Sequence, residues 1–420
     1  MSVFRELEEL GGKIGADVER FVREGRQELE QHVQEHPQPL FALLRTLKPV
    51  LLIHDIAIVT RYSDVVEVLT NDQSFSVEPY TGKMRALAGD FVLGLDDCAE
   101  YERDISILRL AAPRSDLPGL ASFVSETAEQ LVAAAGEHGQ VDVVDLAKRV
   151  PARLIGRWFG TPGPDEDAMI AWTLAMFEDI FVNVKNDPQI HAAAESAAAG
   201  MRPYLEGAIA ERKRAGDHRE DVLGRLLAMQ SDPATALSDE QIATNLIGLL
   251  VGFIPTVATA TTFAVDKLLE LPDALVGAQR AAQADDDEAV RAHMWEAMRL
   301  APQGPGLLRR AQVDYVAGEG THHATSIPAG TLTFAATQSA MLDGGVLDDP
   351  GDFRAGRPAR HYLHFGAGMH QCFGRFANAM QIPLIAKALL RRAQLERAPG
   401  EQGRLVKDGP YPRSLAVTVA

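Results

Sequence analysis

The sequence predicts a mainly α-helical protein with a small β region. Three observations predict it. Between about residues 63 and 302, helix-forming residues dominate, and apolar positions recur roughly every 3.6 residues. Two short stretches, about 48–62 and 305–335, are instead rich in β-branched residues and punctuated by Gly and Pro. Finally, a glycine-rich segment carrying one cysteine, 364–375, leads directly into another helical pattern.

In chain order, residues 1–48 read as helical with mixed charge, broken by Pro37 and Pro39. Val50 to His54 and Ile56 to Thr60 read as two strands of a hairpin, and Ser63-Asp64 as the cap of a short helix. Within the helical body, breaks are expected at Pro113, Pro151, Gly160 to Gly163, Asp187-Pro188 and Ser231 to Pro233. A long helix opens at Ser238, with Gln241 as its capping-box partner, and runs toward Leu271. Short strands follow Pro302, a helix spans about 373–392, and short strands close the chain. No fixed-period repeat and no low-complexity linker divides the sequence, so residues 1–420 are expected to form a single domain.

Composition narrows the function. Lys and Arg total 41 against 58 Asp and Glu, a net charge of -17. Nucleic-acid binding needs a basic footprint, so such a partner is not expected. The two cysteines, Cys98 and Cys372, are far apart and suggest no disulfide framework. The N-terminal residues lack the apolar core of a signal peptide, and no run reads as long enough to span a bilayer. A cytoplasmic location is the simpler expectation.

The chemistry concentrates in His364-Phe365-Gly366-Ala367-Gly368-Met369-His370-Gln371-Cys372-Phe373-Gly374-Arg375. Glycines allow tight turning and close approach of backbone to a flat ligand. The helix that follows directs its N-terminal dipole and free amides at the sulfur, favouring thiolate. The spacing Phe-Gly-x-Gly-x-His-x-Cys-x-Gly resembles the haem-ligand loop of the cytochrome P-450 family, soluble bacterial type. That resemblance implies haem b with its iron held by the Cys372 thiolate. It implies a fold in which helices form a triangular prism around a buried haem. Phe365, Gly366, Gly368 and Gly374 would then be part of the haem cradle.

Other motifs extend the resemblance over about residues 48–415. Glu296-x-x-Arg299 places an acid and a base on one helical face, followed by Leu300-Ala301-Pro302. With Arg357 downstream, it looks like the family's buried Glu-Arg-Arg cluster, a structural lock. Arg309-x-Ala-x-x-Asp resembles the strand reaching a haem propionate, with Arg310 on the opposite face. His370 matches a second propionate position.

Two stretches depart from the family. Where many soluble bacterial members carry a propionate-binding His and two Arg, this chain has Tyr101, Arg103 and Ile105. A phenol can still donate to a carboxylate, so Tyr101 and Arg103 remain candidate propionate contacts. The long helix usually carries a Gly, an acid and a Thr over the haem. Aligned on Gly252, Ile254 takes the acid's place and Pro255 the alcohol's, with Thr256 one residue further on. Pro255 removes the amide that would bond Val251's carbonyl and kinks the helix. Gly252, Pro255 and Thr256 are therefore the candidate catalytic segment.

The resemblance implies a monooxygenase that takes electrons from a ferredoxin-type partner and inserts one atom of dioxygen into an apolar small molecule. The missing acid leaves a second reading open. A peroxygenase, or an isomerase or lyase of fatty-acid hydroperoxides, needs no electron donor and less proton delivery. A non-enzymatic haem binder or gas sensor is a third. Arg375, Lys387, Arg391 and Arg392 form a candidate basic docking face for an acidic donor. Phe177, Phe181, Phe253, Ile254 and Leu307 are the candidate apolar pocket lining.

Overall fold

The computed structural model describes residues 37–136, 139–217 and 219–419. The expected helix over 1–36 lies outside these residues. Two compact units are distinguished among the described residues: 37–79 with Gly304–Asp352 and Arg360–His370, and those of Tyr80–Gln303 with Phe353–Ala359 and 371–419.

The first unit holds a five-stranded sheet, ordered Val50–Ile53, Ile56–Val59, Leu332–Ala335, Leu307–Ala311, Phe75–Ser76. The expected hairpin pairs Val50 with Val59 and Ile53 with Ile56, and His54 turns it at a φ of 52°. Ile56–Val59 runs parallel to Leu332–Ala335, which is antiparallel to Leu307–Ala311. Apolar side chains of both faces are buried. Val59, Val68, Leu69, Phe75 and Ala335 form one cluster, and Phe41, Leu51, Ile58 and Leu332 form another. Burial of this kind contributes about 25 cal/mol per Å² of apolar surface.

Two local expectations are corrected here. Pro39 lies within the helix Pro37–Leu47 and does not break it; what precedes Pro37 lies outside the described residues. Ser63 and Asp64 lie inside the first turn of Tyr62–Thr70, whose N-cap is Arg61 without a side-chain bond. Asp64 faces His323 Nε2 at 3.0 Å, so its carboxylate serves a tertiary contact instead of a cap.

The second unit is mostly helical, with a three-stranded sheet ordered Gln140–Asp142, Ala416–Val419, Leu395–Arg397 and a two-stranded hairpin Val406–Asp408 with Tyr411–Ser414. The expected break at Pro151 does not occur. Pro151 lies within Val143–Leu154, and the helix widens into a π turn over Ile155–Phe159 before Gly160 ends it at a φ of 75°. The break at Asp187-Pro188 is real: Asp187 caps the helix Pro188–Ala215.

The capping box of Ser238 and Gln241 is formed. The expected continuous helix, however, is two: Asp239–Val251 and Ile254–Glu270, parted at Gly252-Phe253. Pro255 is the cause, since it cannot donate to Val251's carbonyl. By length and composition, Asp239–Glu270 is long and apolar enough to cross a membrane, which corrects the sequence reading; 83% of its most apolar window is buried inside the protein. A buried core helix passes that test as readily as a membrane span.

Candidate functional site

In the second unit, Cys372 is partly buried just before the helix Arg375–Leu390, whose N-cap is Gly374. Burial pushes the Cys372 thiol up; the Gly374 amide bonding to its sulfur and the Arg375 charge pull it back. The amide and charge that favour thiolate are thus in place, while burial outweighs them in the metal-free thiol. A Cβ on Gly374 would sit 3.8 Å from the sulfur, an ordinary contact. The Arg375 guanidinium donates to the Cys372 carbonyl at 3.3 Å.

The preceding residues belong to the first unit. Gly366 and Gly368 adopt φ of +66° and +77°, the left-handed region open to glycine. A Cβ on Gly368 would lie 2.3 Å from Leu69's carbonyl oxygen, so no side chain fits there. Phe365 packs edge-on to His364, centroids 6.4 Å apart. On Leu307–Ala311, Arg309 is 3% exposed, whereas Arg310 turns outward to pair with Glu78 at 2.8 Å. Burial, and then the Arg309 guanidinium, push His370 down to about 4. An imidazole and a guanidinium held together in low dielectric suit an anionic group.

Back in the second unit, Glu296, Arg299 and Arg357 converge. Arg299 donates to Glu296 Oε1 and Oε2 at 2.7 and 3.0 Å, and Arg357 to Oε1 at 2.9 Å. The Arg354 amide adds a bond at 2.9 Å that the sequence did not disclose. Burial alone would raise the Glu296 carboxyl, but these bonds outweigh it and hold the carboxyl below its usual range.

Tyr101 is buried, and its amide donates to Cys98 Sγ at 3.4 Å. Cys98 therefore caps the helix Ala99–Ala111. Arg103 is exposed, with its guanidinium 2.7 Å from Asp104. The other Asp104 oxygen accepts from Asn245 at 2.9 Å, and Asn245 accepts from the Val92 amide at 3.2 Å. This buried network ties three segments together and was not legible from spacing.

At the helix break, the Thr256 hydroxyl donates to the Gly252 carbonyl at 2.6 Å. The break thus brings an alcohol to the opening of the helix, while Ile254 and Pro255 are fully buried and carry no proton donor. A Cβ on Gly252 would have no neighbour closer than 3.9 Å. Phe253 turns from that opening into a cluster with Phe159 and Trp158, centroids 5.4 and 6.4 Å away. Phe177 packs on Phe181 at 4.6 Å and edge-on to Tyr411 at 6.2 Å.

The expected basic face needs correction. Lys387, Arg391 and Arg392 are committed to acids: Lys387 to Asp285 and Asp287, Arg391 to Asp285 and Glu129, Arg392 to Glu129. The basic cluster beside Cys372 is instead Arg109, Arg114 and Arg375. The Arg114 and Arg375 guanidinium carbons lie 3.4 and 4.3 Å from the Phe376 ring centroid. Burial, then Arg109 and Arg114, pull Arg375 down, with Cys372 acting the other way.

The sequence matches the family profile described as Cytochrome P450 over residues 50–417. It is 25% identical to the vitamin D(3) 25-hydroxylase of Pseudonocardia autotrophica over 394 residues, covering 91% of this chain and 93% of that protein. It is 30% identical over 303 residues to a bifunctional dioxygenase-epoxy alcohol synthase of Pyricularia oryzae, covering 64% of this chain but 26% of that longer protein. The crystal structure of CalO2 shares the fold, with a TM-score of 0.78 and 24% identity over 92% of this chain and 97% of that one. The chain belongs to the cytochrome P450 family and is an oxidoreductase enzyme.

Haem follows from that membership, and the residues fit it. A thiol with an amide and a cation at its sulfur suits iron, and a buried guanidinium beside an imidazole suits a carboxylate. The left-handed Gly366 and Gly368 give the loop before Cys372 its tight turns.

Proposed function

We propose that the protein is a haem-thiolate monooxygenase that hydroxylates an apolar small molecule with dioxygen and electrons from an acidic ferredoxin-type donor. Cys372 would hold the iron of haem b, and Arg309 and His370 would take its propionates. When bound, the haem supplies the oxidation chemistry. Tyr101 would add a hydrogen bond to a propionate; Arg103, already paired with Asp104, is the weaker candidate.

The observation that carries this reading is the Thr256 hydroxyl at the helix opening, bonded to Gly252. Dioxygen chemistry needs a group that passes protons. Thr256 can accept one on its oxygen and give up its own. Pro255 holds the break open and Ile254 keeps the wall apolar. Phe177 and Phe181 offer aromatic surface for a substrate of the kind named for the vitamin D(3) 25-hydroxylase. The absence of a transmembrane anchor and a cytoplasmic location are part of the same proposal.

Peroxide use is the second reading. Its support is the missing acid at Ile254 and the missing alcohol at Pro255, together with the epoxy alcohol synthase relative. Mixing the ferric haem protein with a fatty-acid hydroperoxide, without reductant or dioxygen, separates the two. The expected result is little peroxide loss; rapid conversion to an epoxy alcohol, diol or aldehyde would sink the monooxygenase.

Electron donor docking is assigned to Arg109, Arg114 and Arg375 rather than Arg391 and Arg392. On a chain of net charge -17, an exposed basic cluster beside the cysteine suits an acidic partner, as charge steering governs encounter rates. Arg109→Glu with Arg114→Glu should slow reduction by an acidic ferredoxin by about tenfold or more at low salt, less as salt screens the charges. Arg391→Glu with Arg392→Glu should change it little. If the two double variants behave alike, the assignment is wrong.

A further inference from the structure

Four oxygen-bearing side chains occupy one side of the helix Ile254–Glu270: Thr256, Thr259, Thr262 and Asp266. Their spacing of three, three and four residues makes each the neighbour of the next along the helix surface. Thr259 is 3% exposed and Thr262 0%, and neither hydroxyl has a hydrogen-bond partner. At the far end, Asp266 pairs with Arg397 at 2.6 Å, with side chains 15% and 32% exposed. At the near end, Thr256 stands at the opening of the helix, bonded to Gly252.

A buried hydroxyl without a partner is a stability cost that valine, its near isostere, avoids. A helix that keeps two such hydroxyls in a row, ending in a partly exposed carboxylate, keeps them at the expense of stability. Such groups point to function where they line up toward a reacting group, as Thr259 and Thr262 do toward Thr256. The same helix carries Ile254 where an acid would pass protons and Pro255 where an alcohol would. Positions three or four apart are neighbours on the helix surface, so a water held between two of them would link their hydroxyls.

We infer that Asp266, Thr262 and Thr259 form a proton route along the helix to the Thr256 hydroxyl, replacing the missing acid. The inference rests on the monooxygenase reading. The overall step consumes dioxygen, one substrate C–H bond, two electrons from the donor and two protons, and yields an alcohol and water. The route supplies the two protons. Asp266 takes a proton from solvent, and each hydroxyl accepts one from the Asp266 side as it releases its own toward Thr256, so no threonine retains charge. Thr261 is equally buried and equally without a partner. Its position, five residues from Thr256, turns it to the other side of the helix. It is the internal control.

The test uses the full-length haem protein with a ferredoxin and its reductase, without added substrate. Peroxide formed per dioxygen consumed is measured for wild type, Thr259→Val, Thr262→Val and Thr261→Val, together with each melting temperature. With proton delivery intact, dioxygen is reduced to water; without it, more leaves as peroxide. Thr261→Val should melt a few degrees higher, since it loses an unsatisfied buried hydroxyl, and the melting temperatures of Thr259→Val and Thr262→Val check that those proteins are folded. Thr259→Val and Thr262→Val should also cut the water-forming rate by at least about tenfold, the low end for a positioned proton donor. Thr261→Val should leave the ratio of peroxide to water unchanged. Equal ratios in Thr259→Val, Thr261→Val and wild type would overturn the route alone. A wild type that consumes no dioxygen with the donor, yet turns over hydroperoxides, would overturn the monooxygenase reading and the route with it.

Discussion

Cys372→Ala should abolish the thiolate signature of the ferrous carbon monoxide complex and reduce oxidation to background. A thiolate is a charged, soft ligand that donates electron density to iron, and the loop 364–375 holds no second thiol. The only other cysteine, Cys98, accepts from the Tyr101 amide and caps its own helix. The surroundings of Cys372 explain why the effect should be large. Burial opposes a free thiolate, so the Gly374 amide and Arg375 poise the sulfur without ionising it alone. Cys372 would give up its proton on holding the haem iron. Alanine leaves the backbone of the loop intact, since its turns depend on Gly366 and Gly368. The polypeptide should therefore fold, retaining helix content by circular dichroism, while haem content falls. If the carbon monoxide complex keeps its thiolate signature in Cys372→Ala, the ligand assignment fails.

How much of this was legible depended on whether a contact is local in sequence. The hairpin over Val50–Val59, the strand that turns Arg309 in and Arg310 out, and the capping box at Ser238 are set by alternation and short spacing, and the fold class followed from them. The Pro255 kink was equally local. Its consequence, two helices rather than one, was not, and it leaves Thr256, back-bonded to Gly252's carbonyl as helical threonines commonly are, at the opening of the second. Asn245 bridging Asp104 and Val92, and Arg109 and Arg114 joining Arg375 near Phe376, pair residues with no fixed sequence offset. The docking face failed for the same reason. Lys387, Arg391 and Arg392 look like a free basic stripe until Asp285, Asp287 and Glu129 neutralise it. Ser63-Asp64 was misread because a cap signature says nothing about a competing partner such as His323.

Glu296→Ala should be the most destabilising single substitution in the second unit. Glu296 and Arg299 are 0% exposed and Arg357 is 6% exposed. One carboxylate satisfies two guanidinium groups and the Arg354 amide. Removing it takes a shared acceptor from two buried cations and an amide, a loss of about 3–5 kcal/mol for breaking a buried pair. That is a large part of the about 5–15 kcal/mol that holds a typical domain. Arg299→Lys should also be costly, because an ammonium cannot reproduce the forked contact to both Glu296 oxygens. The double variant Glu296→Ala with Arg299→Met should recover part of the loss, since it removes both the acid and one of the stranded charges. Acid should mimic the single variant. The folded carboxyl is depressed, so its contribution is present above the ordinary glutamate value of about 4.3 and is lost as pH falls through the lower folded value. Denaturant titration of the three variants, with wild type followed from neutral to acid pH, measures each term. A Glu296→Ala protein within about 1 kcal/mol of wild type, the range of an exposed pair, would mean that the cluster is no lock.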